Sequence, residues 1–369
     1  MFPSRIASVL GGGAGILNNY TLAFDSSDDY VSVGTSIDAG TTSTFSLWIK
    51  RDDPTNNATS LLGEDDNASD YLLYINKHYG LYVRTGSHAY LYEDSATTTA
   101  INTTDWIHIA VVRETVTGKV YINAVLVQTE VDDGSGNAWS ANTTFDTIGA
   151  KPDGSGAFGG NIDEVAVWNT ALSAGDISAL YQAKGTSNLN DDGNSANLKG
   201  WWRMGDGVLD SHPLIADQVN PTLGVEEFGT ADNDWNVTSA YWSISSGVLT
   251  FNGEVNGNAY HAGTTIGAFA FATGTTYKLQ LTIANSGDDA RLIFQDSDNN
   301  AIIANATYPD GIHTFYFTAV SDNNGETPVI RGVSAGSSFD ITSYSLKQVN
   351  GNPGLMTNMA TDDIVKDTP

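Results

Sequence analysis

Apolar and polar residues alternate along many short segments of this chain, and this period of two most constrains its fold. In Phe45–Ile49 three apolar side chains share one face, and Trp106–Arg113 alternates in the same way. Successive side chains of a strand point to opposite faces, so each segment predicts a strand with one buried face. Turn-forming residues recur roughly every 8–12 residues, the spacing expected of an antiparallel β-sandwich.

The alternation divides the chain into two strand-rich regions, residues 20–224 and 225–349. In the first we predict strands at Thr44–Lys50, Asp70–Asn76, Gly80–Arg84, Ala89–Glu93, Trp106–Arg113, Gly118–Asn123, Val125–Glu130 and Gly160–Asn169. In the second we predict strands at Trp235–Ser245, Gly247–Asn252, Ala259–Ala262, Thr276–Ala284, Ala290–Asp296, Gly311–Ala319, Thr327–Val333 and Phe339–Val349. The predicted fold class is all-β, with two antiparallel sandwiches.

Residues 1–19 are interpreted as an N-terminal arm and residues 350–369 as a C-terminal tail. Asn-Pro-x-Leu occurs at Asn220–Leu223 and again at Asn352–Leu355. This repetition suggests the hypothesis that the second region is inserted near the end of the first. If it is, the tail packs against the first region.

One short helix is predicted near the end of the first region. Ser173 is a suitable N-cap, and Asp176 stands three residues later as its capping-box partner. Leu172 and Ile177 occupy the positions of a hydrophobic staple, and Gly185 is a natural stop. The helix should cover one end of the sandwich.

Composition excludes several classes of function. The chain has 43 acidic and 16 basic residues, a net charge of −27, so nucleic acid and anionic membranes should repel it. It has no cysteine, which excludes disulfides and thiolate chemistry. No stretch approaches the roughly 20 apolar residues of a transmembrane helix, so no membrane insertion is expected.

Several motifs of the first region resemble a known family. They are Phe24-Asp25, FSLWIK at Phe45–Lys50, WIHIAVVRETVTGKVYINAVLV at Trp106–Val127 and IDEVAVWNTALS at Ile162–Ser173. This pattern resembles the concanavalin A-like, laminin-G-like jelly roll. Asn123-Ala124 departs from the family's Asp-Gly or Asn-Gly turn, and alanine in a type I′ turn should cost about 1 kcal/mol.

The second region resembles carbohydrate-binding jelly rolls of the galactose-binding-like group. The resemblance lies in Trp242–Leu249, Tyr277–Ile283 and Phe339–Val349. Leu198–Gly207 and the C-terminal tail resemble segments of marine bacteriophage proteins with a laminin-G-like jelly roll. These resemblances imply two jelly-roll modules displayed on a virion.

No residue pattern predicts catalysis. Sugar hydrolysis with retention needs two carboxylates about 5–5.5 Å apart, which alternate positions of one strand would provide. The acidic groups at Glu64–Asp66, Asp132-Asp133 and Asp163-Glu164 are adjacent instead. A Tyr–His–Arg cluster of the kind lyases use is suggested only weakly by Arg84, His88 and the nearby tyrosines. We therefore predict that the chain is not an enzyme.

Aromatic side chains in polar, turn-rich surroundings are the candidates for glycan binding. Sugars stack their apolar faces on aromatic rings, while amides and carboxylates bind the hydroxyls. Trp242 is spaced as a core residue, so packing is the preferred interpretation for it. The candidate glycan-binding residues are Tyr79, Tyr82, Tyr90, Tyr92, Trp235, Tyr260 and His261.

Calcium is the one cofactor that the resemblance implies. Laminin-G-like modules often hold the ion with loop carboxylates and backbone carbonyls, and calcium takes six to eight oxygen ligands. The positions of this sequence that match are Asp25, Asp28, Asp29 and Asp163.

The leading hypothesis is a non-enzymatic bacteriophage virion surface protein, either a capsid decoration or a fibre or tail accessory. Its partners would be other capsid or tail proteins, further copies of itself and a surface polysaccharide. The alternative is a secreted, extracellular bacterial lectin or the binding module of a polysaccharide-degrading system. A polysaccharide lyase or hydrolase is a third hypothesis.

Overall fold

The computed structural model describes residues 15–55, 58–63, 71–76, 80–85, 88–92, 95–114, 116–131, 144–227, 235–236, 241–252, 257–261, 269–286, 290–333 and 338–369. It describes only the backbone at 35–36, 58, 71, 84–85, 88–92, 95–97, 236 and 257–261. In this part of the chain no helix is long and apolar enough to cross a membrane. The predicted all-β class is confirmed, since antiparallel sheets form sandwich-like folds.

The chain divides into two compact units. The first comprises Met1–Pro221 together with Gly351–Pro369, and the second comprises Thr222–Asn350. The second region predicted from the alternation spans residues 225–349. The C-terminal tail is therefore part of the first unit.

The first unit contains fourteen described strands before the second unit begins, and two α-helices. The strands are β1 Thr21–Asp25, β2 Tyr30–Asp38, β3 Thr42–Arg51, β4 Ala58–Gly63, β5 Tyr71–Asn76, β6 Gly80–Thr85, β7 His88–Tyr92, β8 Ile107–Glu114, β9 Thr117–Ile122, β10 Val125–Val131, β11 Thr144–Ile148, β12 Gly159–Trp168, β13 Leu198–Trp202 and β14 Leu214–Ile215. The helices are α1 Ser95–Ile101 and α2 Ala174–Ala183.

The second unit contains eleven described strands, and the tail adds two more to the first unit. Those of the second unit are β15 Leu223–Glu226, β16 Trp235–Asn236, β17 Trp242–Ser245, β18 Val248–Phe251, β19 Gly257–His261, β20 Thr276–Ala284, β21 Ala290–Asp296, β22 Ala301–Tyr308, β23 Gly311–Thr318, β24 Pro328–Gly332 and β25 Phe339–Val349. The tail contributes β26 Gly354–Thr357 and β27 Ile364–Val365.

Two antiparallel sheets form the sandwich of the first unit. Sheet A has the order β10-β9-β8-β3-β12-β1-β27, with β13 also paired to β12. Sheet B has the order β14-β26-β2-β11-β4-β5-β6-β7. Phe45 of sheet A meets Phe145 of sheet B edge to face, with ring centroids 6.3 Å apart. The main core lies between these two sheets.

The middle of sheet A, at β3 and β12, is buried on both faces. Phe45, Leu47 and Ile49 belong to the core between the sheets, as their alternation predicts. The opposite face of sheet A carries a second buried cluster that includes Ala166 and Trp168 and is covered by α2. Polar positions on this face of β3, such as Ser46, are therefore buried as well.

Helix α2 is held by its predicted caps. The Ser173 hydroxyl accepts from the Asp176 backbone N–H at 3.2 Å, and the Asp176 carboxylate accepts from the Ser173 N–H at 2.9 Å. Ile177 is fully buried and Leu172 nearly so, in agreement with the staple pattern. The chain leaves the helix through the left-handed residues Lys184 and Gly185.

Helix α1 was not predicted, because four of the seven residues in SATTTAI are β-branched and favour strands; Ile101 anchors it in the core. The turn at Asn123-Ala124 has φ values of 51° and 64°, so both residues are left-handed. The turn keeps a type I′ geometry despite its alanine.

The second unit is also built from two antiparallel sheets around one core. Sheet C has the order β17-β18-β25-β20-β23, with β15 paired to β25, and sheet D has the order β16-β19-β24-β21-β22. Trp242 is 3% exposed within the core, as predicted. The strand predicted at Trp235–Ser245 is two strands, and β22 was missed because its side chains are mostly exposed.

The tail completes both sheets of the first unit. Strand β26 pairs with β2 and β14 in sheet B, and β27 pairs with β1 in sheet A. The Asp367 carboxylate accepts from Lys50 Nζ at 2.6 Å and from Trp106 Nε1 at 3.0 Å. The last residues are thus integral to the sandwich.

Candidate functional site

Three carboxylates converge in the loop between β1 and β2. One oxygen from each of Asp25, Asp28 and Asp29 lies within 4.8 Å of the others. The loop is folded by its own side chains: Asp25 Oδ1 accepts from the Ser27 N–H at 2.7 Å, and Asp29 Oδ2 accepts from the Asp25 N–H at 3.0 Å. Three of the four residues predicted from the resemblance are therefore together.

Burial and the neighbouring carboxylates disfavour the ionised form of Asp29. Asp29 is 4% exposed, and its pKa is raised to about 6, first by burial and then by the charges of Asp25, Asp363 and Asp28. The tail reaches the same loop, where Asn358 Nδ2 donates to the Asp28 carbonyl at 3.0 Å. One buried and two exposed carboxylates that converge without a described positive partner suit a divalent cation such as calcium.

Asp163 does not belong to this cluster, which corrects the predicted ligand set. Strands β1 and β12 are antiparallel, so Asp25 lies opposite Gly159, four residues before Asp163. Because a strand rises about 3.3 Å per residue, this offset of four residues is about 13 Å. The Asp163 carboxylate is fully buried and accepts from Asn18 Nδ2 at 2.9 Å and from the Glu164 N–H at 2.8 Å.

Glu164 and Arg203 form a buried ion pair beside Asp163. Glu164 has φ 49° at a β-bulge of β12, and this places its carboxylate against β13. Its Oε1 accepts from Arg203 Nε at 2.8 Å, and its Oε2 accepts from Trp201 Nε1 at 2.6 Å. Burial raises the pKa of Glu164 to about 7, although Arg203 opposes this shift. These contacts support a structural role.

A serine–histidine pair on the α2-covered face of sheet A lacks the third member that nucleophilic catalysis needs. Ser46 Oγ and His108 Nε2 are 2.8 Å apart, but His108 Nδ1 has no partner among the described residues. Burial lowers the His108 pKa to about 3, which makes it a poor general base. The adjoining cavity, bounded by Trp48 and Trp168, is only about 20 Å³.

Tyr82 is the predicted glycan-binding residue whose side chain the structure places best. It is half-buried on the face of sheet B opposite the core, because its neighbours Leu81 and Val83 point inward. Its ring meets that of Tyr74 edge to face, with centroids 5.8 Å apart. The two rings form an aromatic pair on adjacent strands.

Trp235 is not an exposed platform, contrary to the prediction. It is 4% exposed and meets Tyr344 edge to face at 5.1 Å within the core of the second unit. Its polar sequence neighbours suggested an exposed ring, but Tyr344 of β25 packs against this ring and buries it.

The remaining aromatic candidates are described through their backbone or not at all. Tyr90 pairs with Val83, and Tyr92 pairs with Leu81. Tyr260 pairs with Val329 and Asn236, and His261 with Trp235. Tyr79 lies outside the described residues.

Sequence reasoning missed a polar face on sheet C. Lys278 and Gln280 of β20 lie opposite Tyr316 and Thr314 of β23, and Ser345 of β25 lies opposite Gln280 on the other side. Lys278 Nζ stands 5.8 Å from the Tyr316 ring centroid, and Gln280 Nε2 donates to Thr314 Oγ1 at 3.1 Å. We call these five residues the polar face of sheet C. The polar residues that alternate with apolar ones in Thr276–Ala284 were the sequence signal for this face.

Residues 25–178 match a laminin-G-type family model described as the concanavalin A-like lectin/glucanases superfamily. No curated protein matches the chain. Three solved structures are partly similar. A heptameric SAP-like pentraxin from Limulus polyphemus is 17% identical, with 44% of this chain and 82% of the pentraxin covered at a TM-score of 0.34.

The other two similar structures come from bacterial carbohydrate-active proteins. Domain 4 of AbnA, an extracellular arabinanase of Geobacillus stearothermophilus, is 20% identical, covering 46% of this chain and 89% of that domain, TM-score 0.31. The CBM40 of a Ruminococcus gnavus sialidase is 18% identical, covering 44% and 95%, TM-score 0.34. Residues 25–178 thus resemble concanavalin A-like lectins and glucanases in sequence.

Proposed function

We propose that this protein is a non-enzymatic carbohydrate-binding protein. The observation that carries the proposal is the match of residues 25–178 to the lectin/glucanase superfamily. The superfamily contains both binding proteins and enzymes, so the chemistry of the site has to decide between them.

The acidic pair on β12 favours binding over hydrolysis. A retaining glycosidase needs two carboxylates about 5–5.5 Å apart that can both reach a sugar. Asp163 and Glu164 are buried, and their oxygens accept bonds from Asn18, Arg203 and Trp201. The Ser46–His108 pair is also buried, and no carboxylate of the described residues bonds His108 Nδ1.

Two surfaces supply the chemistry that sugar recognition uses. The Tyr74–Tyr82 pair offers half-buried rings, and the polar face of sheet C offers a tyrosine ring beside amide and hydroxyl groups. Calcium at Asp25, Asp28 and Asp29 is part of the proposal. When bound, it would neutralise the carboxylates and fix the β1–β2 loop.

Binding and chain cleavage can be measured with the same polysaccharide panel. The full chain is incubated with neutral and acidic polysaccharides, binding is followed by calorimetry, and product length is followed by size-exclusion chromatography. Binding without shortening supports the proposal. Shortening of any polysaccharide would overturn the non-enzymatic assignment, and absence of binding across the panel would overturn the function.

Matched aromatic variants locate the binding surface. Tyr82→Ala and Tyr316→Ala each remove a ring from one of the two surfaces, and about 1–3 kcal/mol of binding free energy is expected from a stacked ring. Tyr308→Ala is the control, because its ring packs against His313 and Phe315 away from the polar face. Unchanged binding in both test variants would exclude these surfaces.

We further propose that the protein lies on the surface of a bacteriophage particle, with capsid or tail proteins as its partners. The resemblance of Leu198–Gly207 and of the tail to marine phage proteins supports it. Mass spectrometry of purified particles tests it directly. Recovery of the protein only from culture medium, free of particles, would favour the alternative of a secreted bacterial lectin.

A further inference from the structure

Strand β10 ends the described strand order of sheet A. Among the described residues it pairs only with β9, and helix α1 contacts it. An edge strand presents unpaired N–H and C=O groups, and natural proteins usually protect such edges with lysines, prolines or covering segments. β10 has the sequence VLVQTEV, which contains no lysine and no proline.

Exposed apolar side chains concentrate at this edge. Ten large apolar side chains of the described residues are strongly exposed, and four of them lie within residues 116–131. They are Val116 (49%), Val125 (63%), Leu126 (48%) and Val131 (62%). We call these four residues the β10 edge patch. Exposed apolar side chains that concentrate along one edge strand are typical of an interaction site.

Residues 116–131 carry no net charge, although Asp132 and Asp133 follow them directly in this strongly acidic chain. Residues 116–131 contain one basic and one acidic residue, Lys119 and Glu130, whereas the whole chain carries −27. Both charges are already engaged, because Lys119 Nζ bonds Glu114 at 3.0 Å and Glu130 accepts from Gln128 at 2.7 Å. Residues 116–131 themselves therefore add little repulsion between two copies of this chain.

The positions of the apolar side chains in the patch suit pairing between two copies of the chain. Val125 and Leu126 lie at the start of β10, while Val131 lies at its end next to Val116, since Val131 pairs with Thr117. An antiparallel pair of two β10 strands around a two-fold axis places the start of one against the end of the other. Each apolar end then meets the apolar end of the second copy.

We propose that the chain self-associates through β10, joining sheet A of two copies into one continuous antiparallel sheet. One strand and four apolar side chains per copy make a small interface, so the association is weak and concentration-dependent. It strengthens with salt, because salt screens the repulsion between two acidic chains.

Sedimentation of the full chain at increasing concentration and salt tests this inference. We expect a monomer–dimer equilibrium that Leu126→Lys and Val131→Lys abolish. Val208→Lys is the matched control, because Val208 is 61% exposed elsewhere in the first unit and the charge change is identical. A wild-type chain that stays monomeric, or variants that dimerise like the control, would overturn the proposal.

Disulfide trapping tests the antiparallel geometry in a chain that has no cysteine of its own. Leu126→Cys and Val131→Cys are prepared separately and then mixed under oxidising conditions. Antiparallel pairing predicts that the mixed dimer forms faster than either homodimer. Equal or slower formation of the mixed dimer would contradict the two-fold arrangement, and thermal melts of each variant report whether the fold is intact.

Discussion

Arg203 Nε lies 2.8 Å from Glu164 Oε1 in the interior of the first unit, and each side chain is only 7% exposed. The pair joins the bulge of β12 to the residue that follows β13. Arg203 also donates to the carbonyl of Asp206 at 3.0 Å and to that of Leu17, so one guanidinium holds three segments together.

Glu164→Gln should destabilise the first unit strongly. The substitution leaves the Arg203 charge buried without its partner, a change that typically costs about 3–5 kcal/mol. The control Glu114→Gln breaks the exposed pair with Lys119 and should cost about 1 kcal/mol or less. Denaturant-dependent hydrogen exchange of peptides from β12 and β13 gives the free energy of unfolding. Equal losses in the two variants would argue against the role assigned to Arg203.

Calcium should raise the melting temperature through the β1–β2 loop. A ligand that binds only the folded state stabilises it by RT ln(1 + L/Kd), where L is the free ligand concentration. Asp29→Asn should abolish this calcium-dependent shift, whereas Asp105→Asn, which changes an exposed aspartate outside the loop, should leave it intact. Melts in calcium and in chelator provide the comparison. A shift retained in Asp29→Asn would place the ion elsewhere.

Asp29 should make stability depend on pH when calcium is absent. Its pKa in the folded chain is about 6, above the ordinary value of 3.8, so the folded state binds this proton more tightly than the unfolded state. Stability therefore falls as pH rises from 3.8 towards 6 and then levels off. The difference in unfolding free energy between the wild type and Asp29→Asn isolates this effect from other buried carboxyls. A difference that stays flat across this range would contradict it.

Ala124→Gly should stabilise the β9–β10 hairpin. Ala124 has φ 64°, a left-handed conformation that costs an L-residue about 1–2 kcal/mol and glycine much less. Glycine also has more freedom in the unfolded chain, so a net gain of about 0.5–1 kcal/mol is expected. Ala171→Gly, outside the left-handed region, should lose stability instead. Thermal unfolding compares the two.

Removal of residues 351–369 should unfold the first unit. The deletion takes β26 and β27 out of sheets B and A, together with the buried side chains Met356 and Met359. Hydrogen exchange resolves the two units separately, and peptides from β20 and β25 serve as the internal reference. Full protection of β2 and β3 in the truncated chain would contradict this role of the tail.

Local patterns predicted most of the fold but only part of the site. The alternation at Phe45–Ile49 and the capping box at Ser173 and Asp176 depend on neighbours in sequence, and both are present. The burial of Trp235 and the separation of Asp163 from Asp25 depend instead on the register of distant strands. No local pattern contains that register, which is why these two site predictions were wrong.

The two ends of the second unit meet each other, since the Asn350 N–H donates to the Thr222 carbonyl at 3.0 Å. In the first unit, the Asn352 N–H bonds Asp217 on the other side of the junction, also at 3.0 Å. The chain therefore leaves the first sandwich after Pro221 and re-enters it at Gly351, at neighbouring positions. A cassette attached in this way can be exchanged or lost with little cost in loop entropy. Joining Pro221 to Gly351 through a short linker should leave the first unit able to fold without the second.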